Sequence, residues 1–173
     1  HDQEEAMSVS DLVIVMSGGD IVSMAPPRQI FDRPDSVYVA SFVGGSNLLD
    51  ATVIERHGED VIVRLENGSV VTGFGNQALS SGDKAVVAIK PCDVLARPQS
   101  DVGPNVVDGQ ISSTTFLGGH IELCLSLCGS REFRVPIPRD SEAAVGDRIR
   151  LFFPPERVSI LAPDRIDGPK RPV

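Results

Sequence analysis

No purely apolar run in this 173-residue chain exceeds five residues; the two that reach five are 12–16 and 85–89. A membrane-spanning helix needs about twenty, so the sequence predicts none. From Leu48 onward each short run closes on a turn: His57-Gly58-Glu59-Asp60, Glu66-Asn67-Gly68-Ser69, Ser81-Gly82-Asp83-Lys84, Gly118-Gly119-His120, Cys128-Gly129-Ser130 and Val145-Gly146-Asp147. Runs of this length between such turns make strands and hairpins. Valine and isoleucine total 34 against 12 leucines, and branched side chains suit pleated strands better than helices. The reading is therefore mainly β. Strands are expected at 49–56, 61–65, 70–72, 85–90, 106–114, 121–127, 132–135 and 148–153. Residues 98–105 are polar, hold two proline breaks and read as a linker or long loop.

The first 47 residues differ. They carry seven acids and two bases, whereas residues 48–173 carry seventeen acids and fourteen bases. Asp2-Gln3-Glu4-Glu5 has the capping-box pattern and predicts a helix to about Val9. Residues 12–16 read as a strand buried on both faces, paired with 21–24 through Ser17-Gly18-Gly19-Asp20. Pro27 and Pro34 each open a short helix, 28–31 and 35–42, and Gly44-Gly45 ends the second. The overall charge of -8 opposes a general nucleic-acid binder, which needs clustered bases to displace counterions. Three cysteines fit a reducing compartment better than a disulfide framework.

The later part of the chain repeats itself weakly. Gly82-Asp83-Lys84 and Gly146-Asp147-Arg148 each precede an apolar strand, then Pro91 or Pro154-Pro155, then Asp93-Val94 or Glu156-Arg157-Val158. Two related small β units, barrels of the OB type, would explain the echo.

These pieces together resemble a known family. His1-Asp2-Gln3-Glu4-Glu5-Ala6-Met7 resembles the switch-histidine segment of ABC transporter ATPases. Asp11-Leu12-Val13-Ile14-Val15-Met16-Ser17-Gly18-Gly19-Asp20-Ile21 is similar to the strand pair that follows it in importers. Pro27-Arg28-Gln29-Ile30-Phe31-Asp32-Arg33-Pro34 and Val39-Ala40-Ser41-Phe42-Val43-Gly44 resemble the end of that domain, and Ser46-Asn47-Leu48-Leu49 its junction to a regulatory domain. Ile89-Lys90-Pro91, Phe116-Leu117-Gly118 and Pro155-Glu156-Arg157-Val158 resemble the TOBE half. The resemblance implies residues 1–47 as a short α/β remnant of an ABC ATPase domain, and 48–173 as a TOBE-like domain of two OB-like antiparallel subunits. It implies the regulatory and dimerising portion of an importer's ATP-binding subunit, for sugars, polyamines, ferric iron or similar solutes. The place implied is cytoplasmic, on the inner face of the plasma membrane. The implied partners are a second copy of the subunit, transmembrane permease subunits, and a regulatory protein or small ligand. ATP and Mg belong to the full-length family. His1 takes the position that contacts the terminal phosphate.

The phosphate-cradling motif Gly-x4-Gly-Lys-Ser/Thr is not in this sequence: Lys84, Lys90 and Lys170 all have the wrong neighbours. Neither the signature motif nor an Asp-Glu strand end occurs. The chain begins at His, and the earlier two-thirds of the ATPase domain is expected to lie outside it. Alone it should be inactive and need no cofactor or metal.

Other candidates have plainer readings. Asp2, Glu4 and Glu5 suit helix capping better than paired catalysis. Cys124 and Cys128, with Cys92 distant, lack the second pair a zinc site needs. His57 and His120 sit in turns, and Arg131, Arg134 and Arg139 read as an outer strand face. Ser112-Ser113-Thr114-Thr115 is the one polar cluster suited to a small oxyanion such as molybdate, the ligand of the alternative reading as a free-standing module. Strand edges and residues 152–161 are the expected interaction surfaces.

Overall fold

The computed structural model describes residues 3–75, 79–97 and 102–164. Helix α1 (Gln3–Val9) leads into the hairpin β1 (Val13–Ser17) and β2 (Asp20–Ala25). Gly18 and Gly19 supply the positive φ of its turn, +60° and +97°. Two short helices follow, α2 (Pro27–Asp32) and α3 (Val37–Phe42). Ser36 caps α3, its Oγ accepting from the Val39 N–H at 3.3 Å. Ten strands follow: β3 (Asn47–His57), β4 (Asp60–Leu65), β5 (Val70–Phe74), β6 (Lys84–Ile89), β7 (Leu95–Arg97), β8 (Val106–Phe116), β9 (His120–Leu127), β10 (Ser130–Pro138), β11 (Arg148–Phe152) and β12 (Ser159–Leu161). The fold is mainly β with OB-like units, as the turn spacing predicts.

The echo in the sequence is a structural repeat. Gly82 N–H donates to Val53 O at 2.9 Å, and Gly146 N–H donates to Ile111 O at 2.8 Å. Asp83 Oδ2 accepts from Ser80 N–H at 2.8 Å, and Asp147 Oδ2 accepts from Ala144 N–H at 3.0 Å. Strands β3 and β8 carry bulges at matching points, Val53/Glu55 and Ile111/Ser113.

Each half gives its last strand to the other. After β6 the chain crosses through the 3-10 turn Pro91–Asp93, and β7 pairs with β11. After β11 it crosses through a second 3-10 turn, Pro155–Arg157, and β12 pairs with β6. The halves share one core, in which Phe133 and Phe153 stack at 5.6 Å between centroids. Most of residues 152–161 is therefore not the interaction surface the sequence suggests, and only the turn Pro155–Arg157 is exposed. Phe153, Val158, Ser159, Ile160 and Leu161 are buried, because this stretch closes the first barrel.

Only the first barrel closes, in the order β12-β5-β4-β3-β6; the second sheet stays open as β10-β9-β8-β11-β7. The repeat shows why. In the first half the Phe74 N–H donates to Val158 O at 3.0 Å, stitching β5 to the incoming chain. Gly73 lets that chain approach, since a Cβ there would lie 2.6 Å from the Val158 carbonyl oxygen. The matching residues on β10 are Pro136, which has no N–H, and Val135, whose side chain is buried in the core.

Helix α3 joins the N-terminal segment to this β unit. Val37 and Ala40 pack on Val86, Ala88 and Leu161 of the barrel. Tyr38, Val39 and Val43 pack on Val15 and Ile30 of the hairpin side. Strand β6 thus has apolar cover on both faces, which is why 85–89 reads as an unbroken apolar run. The other long run, 12–16, is covered on one face only. Val15 is buried while Ile14 and Met16 are 49% and 55% exposed.

Candidate functional site

The densest polar chemistry lies where the N-terminal segment meets the β unit. Lys90, directly after β6, is 5% exposed. Its Nζ donates to Val43 O at 3.0 Å and to Ser46 Oγ at 3.3 Å, and sits 4.1 Å over the Phe31 ring. All three contacts belong to residues 31–46. Gly44 makes the approach possible: its φ is +73°, and a Cβ there would lie 2.7 Å from the Phe31 ring and 3.0 Å from Lys90 Nζ. Burial pushes the Lys90 ammonium below its ordinary pKa, against the opposing pull of Cys92, Asp93 and Asp32.

Charged side chains ring this point. Arg157, from the second crossover turn, lies 3.6 Å from Asp32 and 3.9 Å from Asp93. Burial raises the Asp93 carboxyl, with Arg157 and Lys90 opposing. A cavity of about 10 Å³, room for one water, lies among Lys90, Ser46, Asp32, Asp93, Arg157 and Ser159. Further along, Arg33 stacks 4.4 Å over the Phe74 ring and reaches Glu59 at 3.5 Å. Arg134 Nη2 donates to Gly45 O at 3.0 Å.

Two buried asparagines hold the halves together by matching contacts. The Asn47 side chain accepts from Arg134 N–H and donates to Arg134 O, both at 2.8 Å. The Asn105 side chain accepts from Thr72 N–H at 2.9 Å and donates to Thr72 O at 2.8 Å and Phe153 O at 2.7 Å. Each asparagine grips the outer edge of the third strand of the opposite half. The sequence reading missed both, and Asn105 falls at the end of its expected linker.

The structure scatters most candidates drawn from the sequence. His1 and Asp2 lie outside the described residues, and Glu4 and Glu5 stand in α1. His57 reaches Glu55 at 3.5 Å on the surface. His120 starts β9, far along the chain from both. Cys92, Cys124 and Cys128 are free thiols. Among the described residues no three His, Cys, Asp or Glu side chains group to hold a metal. Ser112 Oγ donates to Cys124 O at 2.9 Å, and Ser113, Thr114 and Thr115 are exposed along β8. Arg139 is exposed, and Arg134 is committed to the joint.

Nothing described here cradles a triphosphate. Lys84 Nζ donates to Thr52 Oγ1 at 3.4 Å on the outer barrel wall, and Lys90 is sealed in the joint. An open groove of about 810 Å³ beside Lys84 also holds Asp50, Arg64 and Glu66, so its charges cancel. Among the described residues no helix is long and apolar enough to cross a membrane.

Comparison with known proteins places this geometry. The family model for the TOBE domain matches residues 87–161, from β6 through the exchanged strand β12. A spermidine/putrescine import ATP-binding protein, PotA of Ruegeria pomeroyi, is 32% identical over 165 residues, 93% of this chain and 44% of that protein. The chain corresponds to the C-terminal part of ABC importer ATP-binding subunits and carries their TOBE domain. The Fe(3+) ions import ATP-binding protein FbpC 1 of Rhizobium meliloti is also 32% identical, over 93% of this chain and 44% of its own length. PotA of Bacteroides thetaiotaomicron is 34% identical over 96% of the chain and 34% of its own length. The TOBE-bearing chain thus spans less than half the length of these relatives. A solved structure of the cytoplasmic molybdate-binding protein ModG shares the fold, with a TM-score of 0.58 and 16% identity over 68% of this chain and 96% of that one.

Proposed function

We propose that this chain is the regulatory and dimerising C-terminal portion of an ABC importer's ATP-binding subunit, coupling ATP hydrolysis in the full-length subunit to solute uptake. One observation supports this beyond similarity. Leu12, Ile14, Met16, Ile21 and Met24, on the β1–β2 hairpin and its approach, are 49–60% exposed. A hairpin shaped to stand in water would turn polar residues outward there. In a full-length subunit the remainder of the ATPase domain would cover that face. ATP and Mg would bind in that remainder, with His1 contributing the terminal-phosphate contact. The partners in this reading are a second copy of the subunit and transmembrane permease subunits at the inner membrane face, with a regulatory protein or small ligand received by the β unit.

The test starts from the native product in its source cells, detected with an antibody against residues 48–173. The expected species is well above 18.5 kDa, hydrolyses ATP, and loses hydrolysis on His1→Ala. A native species near 18.5 kDa that binds molybdate in calorimetry would overturn the proposal in favour of a free-standing oxyanion module.

A further inference from the structure

The joint combines two kinds of contact. Helix α3 rests on the barrel through Val37 and Ala40 against Val86, Ala88 and Leu161. Apolar contact is non-directional and tolerates small rotations. Lys90 contributes the directional contacts, to Val43 O, Ser46 Oγ and the Phe31 ring. We propose that the α3 contact is a pivot and Lys90 a spring-loaded latch: its contacts set the closed register while its buried charge lowers the cost of opening, so that residues 27–46 can rock on the β unit.

The physical case rests on where the charge sits in each state. With the joint closed, the ammonium is buried with neutral partners and no carboxylate within salt-bridge distance among the described ion pairs. Burying a cation this way carries a desolvation cost, which the two hydrogen bonds and the ring offset only in part. With the joint open, the ammonium returns to water and recovers its hydration. A lysine suits this better than arginine, because its compact charge is more strongly hydrated. Asp32 of α2, Cys92 and Asp93 of the first crossover turn, and Arg157 of the second also face the site. Arg157 holds both carboxylates nearby without fixing them to Lys90. Both crossover turns meet here, so a rearrangement of the strand exchange would reach the latch directly. This inference concerns the joint itself and stands whether or not the ATPase reading holds.

The charge imbalance makes the latch sensitive to pH. Between its lowered pKa and the ordinary 10.5, Lys90 binds fewer protons in the closed joint than in the open one. Closure therefore strengthens as pH rises through that window.

Tyr38 in α3 is the single tyrosine and the chain has no tryptophan, so tyrosine emission reports the N-terminal segment while circular dichroism reports the β unit. The variants are made in a Cys92→Ser background, which removes the neighbouring thiol's ionisation. Lys90→Met is expected to slow amide exchange in residues 27–46 about tenfold or more. It should also abolish the rise of the Tyr38 unfolding midpoint as pH climbs toward 10.5, leaving the dichroism midpoint in place. Gly44→Ala, which places a Cβ against both Phe31 and Lys90, is expected to speed exchange in the same residues. Faster exchange in Lys90→Met, an unchanged pH dependence, or a joint fall of both midpoints would overturn the latch. Gly44→Ala keeps the ammonium while crowding its seat, so unchanged exchange in residues 27–46 of that variant would overturn the proposal even where Lys90→Met folds poorly.

Discussion

Asn105 carries more of the fold than its surroundings in the sequence suggest. It is 1% exposed, has φ of +61°, and satisfies three backbone groups, two on Thr72 of β5 and one on Phe153 directly after β11. Asparagine tolerates the left-handed region that most side chains avoid, and its amide matches a backbone donor–acceptor pair. Asn105→Ala strands those three groups without partners. A loss of about 2–4 kcal/mol is expected, read as a fall in the urea midpoint with unchanged slope. Asn47→Ala strands two groups on an outer edge and should cost about 1–2 kcal/mol. Neither role was legible in the sequence, because the partners lie 33 to 87 residues away. The Asp108–Arg150 pair, doubly bonded at 2.7 Å, behaves differently. Asp108 is largely exposed, so Asp108→Asn should cost no more than about 1 kcal/mol. The Arg150 hydrogen bonds hold the Asp108 carboxyl below its ordinary 3.8. Its contribution is therefore present above pH 3.8 and disappears as pH falls through the lowered value. A pH titration of stability between 2 and 5 should show that fall in the native chain and a smaller one in Asp108→Asn.

At the scale of elements, the hairpins were legible and the strand exchange was not. The hairpin turns announce themselves through glycines that must take positive φ, as at Gly68 and Gly129, +87° and +80°. Strands β7 and β12 are three residues each and have no alternation to read. Their pairing is fixed by the opposite half, so residues 152–161 looked available in sequence, whereas all but the exposed turn Pro155–Arg157 is tucked into the fold. The repeat itself was visible, and its one break at Pro136 decides which barrel closes. That break also guards an edge. Asn47 occupies the outward N–H and C=O of Arg134, and the next two outward positions on β10, Pro136 and Pro138, have no N–H to offer. An added strand would find no free N–H donor at these positions. Pro136→Ala, with Pro138→Ala, restores two donors. Concentration-dependent association beyond that of the unchanged chain is expected in sedimentation, and a variant that associates no more than the unchanged chain would show that the prolines are not what guards the edge. On the closed side, Gly73→Ala forces a Cβ against the Val158 carbonyl, with an expected cost of about 1–3 kcal/mol in the urea midpoint.

At the scale of the whole molecule, stability should fall into two tiers. The β unit has a single core drawn from both halves, closed by two exchanged strands and two buried asparagines, so neither half can open without breaking the other. The N-terminal segment has a smaller core, Val15, Ile30, Tyr38, Val39 and Val43. Its hairpin is a two-stranded sheet with no further strand on either edge among the described residues and an open apolar face. A two-stranded ribbon covered on one face is marginal in water, and its protection comes mainly through α3. Amide exchange should therefore divide the chain, with residues 12–24 exchanging at low opening cost and β3 through β6 exchanging only through global unfolding. Exposed Ile14 and Met16 also make the segment prone to associate, so fast exchange should appear in the monomer and diminish as concentration rises. Strong protection throughout 12–24 in a demonstrated monomer would refute both the two tiers and the idea that this face awaits a covering domain. If the division holds, Ile14→Lys separates the two roles of the face. It should suppress association of this chain without moving the dichroism midpoint. On the proposed reading, the same substitution in the full-length subunit should destabilise the ATPase domain, since a charge would then be buried where the remainder of that domain would cover the face.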